Sequence, residues 1–278
     1  MRLKESLPLI LWILCMSTGC VHKAPLSTQM SAEQLEVRLE AEASKIRSIK
    51  GQARLKIDSP QQKGVLEVLV AAQLPDAIHL ELLDGLGRPV RIFVSKAGRF
   101  ELWDIEKNVF YRGLATQRNL ERFLPLYFSP QELVLVLLGA APRLAATRVE
   151  FPGNTQEEGR FISLELKGEK GLQRLRVHTE NFRVEESEVW GDNQVYKLAF
   201  ASFIRLGAKG FFPEKRVLEV SSSQLFLELS YTDYSLEPLL EDKLFTLVLP
   251  QGIRRVEVEE AIDWEGEGRS TEGKGLGP

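Results

Sequence analysis

Apolar and polar residues alternate along most of this chain, and a period of two is typical of strands that bury one face. The alternating runs recur at intervals of about ten residues and are separated by Gly, Pro and Asp. Because the connections are too short for helical crossovers, we predict an antiparallel meander. It has about twelve strands, near residues 53–57, 66–70, 78–82, 90–94, 100–102, 143–151, 161–167, 173–177, 182–189, 195–202, 217–221 and 225–231, with residues 253–258 as a further candidate.

A helix precedes the strands. Ser31 and Gln34 have the spacing of a capping box, in which each residue's side chain accepts from the other's backbone amide. Apolar residues then recur at helical spacing, so one stripe of the helix packs against something larger. Gly51 marks the exit, and the stripe comprises Leu35, Leu39, Ala43 and Ile46.

A second helix interrupts the strands between residues 115 and 142. Ser129 is placed to cap it, Pro130 takes the first helical position and Glu132 the third. Residues 133–138 are apolar on every side, so this helix either fills the core or covers a cavity. The predicted class is mainly β with a helical lid (α+β), in a single domain over residues 31–264.

The N-terminus has the pattern of a secretory signal peptide over residues 1–19. Arg2 and Lys4 precede an apolar run at residues 7–16, and small residues follow. The apolar run is about half the roughly 20 residues that a membrane-spanning helix needs. We therefore interpret it as a targeting segment.

Cys20 follows the small residues Ser17, Thr18 and Gly19, an order that resembles the bacterial lipobox. The resemblance implies that Cys20 is diacylated and becomes the first mature residue, and two acyl chains anchor a protein stably. Val21 replaces the aspartate that retains such lipoproteins in the inner membrane. The implied location is the periplasmic face of the outer membrane of a Gram-negative bacterium. Ordinary cleavage, with Cys20 an incidental thiol, is the alternative.

Two flanking segments show no sign of packing. Residues 20–30 lack periodicity and are interpreted as a tether behind the lipid. Residues 265–278 are rich in glycine and contain one apolar residue, Leu276, so they cannot bury enough surface to order themselves.

Composition narrows the possible functions. A net charge of −3 without a long basic run argues against nucleic-acid binding. Both cysteines lie within the first 20 residues, so the mature chain has no disulfide or cysteine metal cluster. His79 and His178 are not spaced as zinc ligands and are interpreted as strand residues. No nucleophile elbow, Walker loop or metalloprotease motif occurs, so we predict no enzyme, metal or cofactor.

Three stretches between residues 33 and 142 carry a family resemblance. After the leading helix come IKGQARLKID, then LELLDGLGRPVRIFVSKAGRFELWD, then PLYFSPQELVLVLLG, and together they resemble the LolA/LolB family of lipoprotein-sorting proteins. LFTLVLPQGIRRVEV is similar to the closing segment of such domains. The resemblance implies an unclosed antiparallel β-barrel of about 11–12 strands whose helical lid covers an apolar cavity. A related lipoprotein family with the same fold is the alternative.

The resemblance also implies site residues. In the LolB branch a leucine before a glycine protrudes and helps pass cargo into the membrane; Leu86 and Gly87 match that pair, whereas Gly85 replaces the family's proline. A leucine folded back onto the sheet is the alternative. Phe211 and Phe212 form a second apolar turn that either touches membrane or lies under the sheet. Alternation suggests cavity-lining residues on strands and lid: Leu80, Leu82, Val90, Ile92, Phe100, Leu102, Leu133 and Leu137.

The implied function follows from that family. We expect a monomer that binds acyl chains or lipidated proteins, receives them from a periplasmic LolA-like carrier and helps insert lipoproteins into the outer membrane. One alternative keeps the fold and anchor but assigns a non-catalytic scaffold role in envelope assembly. A periplasmic hydrolase is the third possibility, which requires a polar cluster that sequence alone does not reveal.

Overall fold

A computed structural model describes residues 30–124, 128–152, 160–191 and 195–259. The predicted signal peptide, the lipidation site Cys20, nearly all of the tether and the C-terminal tail lie outside the described residues. The described part of the chain contains fourteen strands in one sheet and three α-helices. No helix within it is long and apolar enough to span a membrane.

The helices are α1 (Ala32–Ala43), α2 (Gln117–Glu121) and α3 (Pro130–Leu137). Short 3₁₀ turns occupy Gly207–Lys209, Ser221–Ser223 and Asp242–Phe245. The strands are β1 (Ser48–Asp58), β2 (Lys63–Gln73), β3 (Ala77–Leu83), β4 (Pro89–Lys96), β5 (Arg99–Asp104), β6 (Val109–Leu114), β7 (Arg148–Glu150), β8 (Phe161–Gly168), β9 (Gly171–His178), β10 (Val184–Gly191), β11 (Val195–Arg205), β12 (Phe211–Val220), β13 (Leu225–Leu236) and β14 (Arg254–Val258).

The sheet is one continuous, unclosed surface with the order β14-β6-β5-β4-β3-β2-β1-β13-β12-β11-β10-β9-β8-β7. This confirms the predicted mainly antiparallel open barrel with helices as its cover. β6 was not predicted, and β14 pairs with it in parallel, so the meander is wrong at that edge. It is also wrong in the middle of the sheet, where β1 pairs with β13, and between β6 and β7, which lie near opposite edges and are joined by a helical connection that crosses the sheet.

Both capping boxes are confirmed. Ser31 accepts from the Gln34 amide while the Gln34 side chain accepts from the Ser31 amide. Ser129 and Glu132 make the same exchange at the start of α3. Each box satisfies backbone donors that the first helical turn leaves without partners.

The concave face of the sheet forms the core. Residues directly opposite each other in antiparallel strands share a face, and Leu80, Phe93 and Leu102 are such a row across β3, β4 and β5. All three are buried, and α3 packs over β2 and β3 with Leu133, Val134 and Leu137 buried. Helix α1 adds its buried stripe, Leu35 and Leu39, to the same cluster.

The convex face is covered only in part. The segment between β13 and β14 crosses β3 and β4 there: Phe245 is buried, and the Leu244 carbonyl lies 2.6 Å from Nδ1 of His79. Further along the sheet the convex face carries ion pairs, such as Arg174 with Glu165 at 2.7 Å and Lys197 with Glu186 at 2.8 Å. This half of the convex face is a solvated surface.

Candidate functional site

A buried arginine holds the C-terminus of α3. Arg216 of β12 is 2% exposed, and its guanidinium donates to the carbonyls of Val136 at 3.1 Å and Leu137 at 2.9 Å. These carbonyls belong to the last turn of α3, which carries the negative end of the helix dipole, and the Val136 carbonyl also accepts from the Gly139 amide at 3.1 Å. Phe212 and Tyr231 flank the guanidinium, with ring centroids 4.7 and 4.6 Å away.

Carbonyl dipoles and ring faces surround the charge of Arg216. Among the described residues no acidic side chain forms an ion pair with it, and the Glu214 carboxylate makes a smaller electrostatic contribution. Burial lowers the pKa of Arg216 to about 10, which leaves it charged at neutral pH. The Tyr231 hydroxyl donates to the Leu137 carbonyl at 3.3 Å, and burial raises the pKa of that tyrosine to about 12.

The chain after α3 is tied to the sheet by one glutamine. Gln173 of β9 is fully buried, and its amide nitrogen donates to the Pro142 carbonyl at 2.7 Å and to Oγ of Ser187 at 2.8 Å. Its amide oxygen accepts from the Leu144 amide at 2.8 Å. Arg216 and Gln173 together therefore fix α3 and the chain after it, which cover the concave face, at two points.

Most of the predicted cavity residues lie under this cover, as part of the core. Leu80, Phe100, Leu102, Leu133 and Leu137 are buried in the continuous core, and Leu82 packs against it. The side chains of the sheet and α3 pack against one another there.

Ile92 does not belong with that set. It stands opposite Glu81 and Trp103, whereas Leu80 stands opposite Phe93, so Ile92 lies on the convex face and its assignment to the cavity is wrong. Val90 falls at a register shift: Leu82 is opposite Arg91 and Leu83 is opposite Pro89, so Val90 has no partner in β3. Alternation with Ile92 therefore does not decide the face of Val90.

A cleft of about 900 Å³ opens beside the core, between α2, the start of α3, the connection after α3 and the ends of β9 to β11. Apolar walls come from Phe128, Leu144, Val189 and Tyr196, and charged side chains stand among them. Its volume falls in the range of small-molecule sites. Sequence reasoning missed this cleft, because its walls come from six separate segments. The charged lining residues are Arg118, Glu121, Glu132, Arg143 and Lys170.

Two lining groups have defined surroundings. Burial raises the pKa of Tyr196, with a smaller contribution from Glu132, so its hydroxyl stays neutral. Phe128 meets the Tyr196 ring edge-on, with centroids 5.4 Å apart. Arg143 donates to the Glu36 carbonyl of α1 at 2.6 Å, which connects the cleft to the leading helix.

The loop between β3 and β4, residues 84–88, presents the predicted leucine. Leu86 is 80% exposed, so it does not fold back on the sheet. Oδ1 of Asp84 accepts from the amides of Leu86 at 2.8 Å and Arg88 at 2.9 Å. Gly87 has a φ of 77°, a left-handed conformation that glycine adopts without strain. Gly85, which replaces the family's proline, therefore does not leave the loop without internal bonds.

The second predicted apolar turn is not a turn. Phe211 and Phe212 begin β12, and Phe212 is fully buried beside Arg216. Of the two alternatives, contact with membrane is wrong for Phe212, and a position under the sheet is correct.

The 84–88 loop and the cleft lie at the same end of the strands. The end of β3 pairs with the start of β2, since Leu83 is opposite Glu67. The start of β2 meets the end of β1, which meets the start of β13. From there the ladder leads through the end of β12 to Tyr196 at the start of β11, which lines the cleft.

Solved structures share this architecture. A domain from Vibrio parahaemolyticus, named for outer-membrane lipoprotein sorting, aligns over 77% of this chain and 95% of its own with a TM-score of 0.57 and 13% identity. A LolA superfamily protein from Nitrosomonas europaea aligns over 78% and 98% with a TM-score of 0.53 and 16% identity. The chain has a LolA-like fold.

A DUF1329 family protein from Desulfovibrio piger is also similar, with a TM-score of 0.54 and 12% identity over 81% of this chain and 98% of its own. No protein-family model and no curated protein matches the sequence. At these identities the likeness describes the fold alone, so the chemistry of this LolA-like chain has to be argued from its own residues.

The histidines that could take part in catalysis or metal binding are dispersed in this LolA-like sheet. His79 faces Glu81, with Nε2 and Oε1 2.7 Å apart, and the ring of His178 meets that of Phe161. Within the described ranges no group of three histidine, cysteine or acidic side chains is arranged to hold a metal ion. The charged walls of the cleft are a candidate for the polar cluster that a hydrolase would require.

Proposed function

We propose that this chain is an envelope lipoprotein that takes acyl chains of lipids or lipidated proteins into its cleft and passes them to the outer membrane. The observation that carries the proposal is the placement of the cleft and the exposed Leu86 at one end of a LolA-like sheet. A site for cargo and a tip that enters the bilayer have to face the same membrane.

The cleft suits an acyl chain because its walls combine apolar rings and branches with a charged rim. Burying a methylene stabilises a complex by about 0.8 kcal/mol, so ten methylenes contribute about 8 kcal/mol before the cost of ordering the chain. Lys170 and Arg143, which line the cleft, suit the phosphate of a headgroup.

The proposed anchor keeps the domain close to the membrane. Met30, the first described residue, is ten positions after Cys20, and an extended chain of that length reaches at most about 35 Å. A lipidated Cys20 would therefore hold the domain within reach of the bilayer. A soluble LolA-like carrier is the proposed donor of cargo, since the tether keeps this protein at its membrane.

Depletion of the protein in its own cell, followed by complementation, tests the proposal. Outer-membrane lipoproteins should accumulate in the inner membrane on depletion, as measured by sucrose-gradient fractionation. Replacing the exposed Ala145 by tryptophan (A145W) fills the cleft from its rim and should fail to restore sorting. A201W, at an exposed alanine of β11, is the matched control and should restore it. Normal sorting in depleted cells would refute the proposed function.

One observation favours a second candidate. The lid and the concave face are packed together, and a closed core suits a scaffold of an envelope complex better than a carrier that opens. A scaffold should purify with a stoichiometric protein partner and without lipid. Native mass spectrometry of the full mature chain distinguishes the two functions by the presence of bound lipid.

A further inference from the structure

One carboxylate organises the whole 84–88 loop. Oδ1 of Asp84 accepts from two loop amides, as described above, and Oδ2 accepts from Nε of Arg88 at 2.8 Å and lies 2.7 Å from its Nη2. Backbone bonds complete the loop: the Asp84 amide donates to the Arg88 carbonyl, and the Gly87 amide donates to the Asp84 carbonyl, both at 2.9 Å. Leu86 is the one large apolar side chain in the loop, and it points outward.

These bonds compensate for the composition of the loop. Two of its five residues are glycines, and a Cβ at either would meet nothing within 4 Å, so neighbouring atoms do not restrain them. Glycines raise the entropy of a free loop. The bonds to Asp84 are therefore what limits the directions in which Leu86 can point.

The same bonds remove a charge from the tip. Arg88 neutralises Asp84, and hydrogen bonds from the Arg88 amide and guanidinium lower the pKa of the carboxyl, so the pair stays ionised and matched. A lone carboxylate beside Leu86 would resist transfer toward a low-dielectric layer. Moving a matched ion pair to the depth of the headgroups costs less free energy than moving a lone charge. Leu86 can then enter the apolar layer ahead of the pair.

We propose that Asp84 is a positioning residue that holds Leu86 in place as a bilayer-inserting tip, with Arg88 as its charge partner. This inference rests on the proposed function and adds which residues make the tip work. The partner surface is the acyl layer of a phospholipid bilayer.

The experiment uses the full mature chain in vesicles of phosphatidylethanolamine and phosphatidylglycerol, with photoreactive p-benzoylphenylalanine in place of Leu86. Cross-linking to lipid on irradiation reports the insertion of position 86. D84A removes the bonds to the carboxylate and should reduce the lipid cross-link by about tenfold. The loss of one such bond lowers the population of the ordered loop by about tenfold or less. D84N keeps the acceptor for both amides and should stay within about threefold of the parent.

Asp58 offers a matched control. It pairs with Lys63 at 2.8 Å in the β1–β2 hairpin, at the same end of the sheet, so D58A removes a similar ion pair without touching the 84–88 loop. D58A should leave the cross-link unchanged. Hydrogen exchange should rise at residues 85–88 in D84A, whereas the unfolding midpoint should hardly change because the loop is exposed.

The outcomes separate this inference from the proposed function. In the complementation assay L86E should fail to restore sorting, and D84A should fail in proportion to its loss of cross-linking. If L86E fails while D84A cross-links and sorts like the parent, the inference is overturned and the proposed function stands. If L86E restores sorting, the loop has no role in the proposed function, and the inference about Asp84 is refuted as well. Equal losses in D84A and D58A would also overturn the inference.

Discussion

Replacing Arg216 by methionine tests whether the buried guanidinium fixes α3. The R216M change keeps an apolar stem but leaves the carbonyls of Val136, Leu137 and Pro213 without this donor. A hydrogen bond from a charged donor contributes about 1.5–3 kcal/mol. The Gly139 amide and the Tyr231 hydroxyl still donate to the Val136 and Leu137 carbonyls, so we take the low end, about 5 kcal/mol, for the three lost bonds.

An opposing effect reduces that cost. A pKa lowered from 12.5 to about 10 corresponds to about 3 kcal/mol against the charged form in the folded protein. Removing the charge recovers this amount, as in other proteins whose buried ions are replaced by apolar residues. The net expectation is a loss of about 2 kcal/mol in the free energy of unfolding.

Urea unfolding followed by circular dichroism measures the global effect, and hydrogen exchange at residues 133–139 measures the local one. R205M is the control, because Arg205 is an exposed arginine of the adjacent strand β11. A variant R216M as stable as the parent, with unchanged exchange in α3, would refute the assignment of Arg216 as the anchor of this helix.

Three further outcomes are expected. Q173L removes the bonds to Pro142, Ser187 and Leu144, so we expect a loss of about 2–4 kcal/mol by urea unfolding, whereas equal stability would contradict the role of Gln173. G139A should destabilise the protein more than G252A does, because both glycines are left-handed but only at position 139 would the new Cβ lie 2.6 Å from Pro213. Thermal melts of the two variants measure the difference. The hydrogen bond from His79 lowers the pKa of Glu81. The ionised Glu81 therefore stabilises the fold above pH 4.5, and this contribution is lost as the pH falls through the lowered pKa. E81Q should flatten this part of the pH–stability profile, and an unchanged profile would count against the pair.

The sequence by itself determined the local features of this protein. Ser129, Pro130 and Glu132 placed the start of α3, because capping depends on atoms within one helical turn. Period-two alternation located most strands for the same reason, since neighbouring side chains of a strand point to opposite faces. The exposed Leu86 was also predictable from its flanking glycines and the family resemblance.

Tertiary structure decided everything that depends on distant residues meeting. Alternation specifies a period but neither which face turns inward nor where a bulge interrupts the period, so Ile92 was assigned to the wrong side and Val90 lies at a register shift. The pairing of Arg216 with carbonyls about 80 residues away leaves no trace in local pattern. The cleft and the parallel strand β14 likewise arise where separate segments converge. Local propensity acts within a turn or a strand, whereas the site is made by contacts that exist only once the sheet has curved and the lid has crossed it.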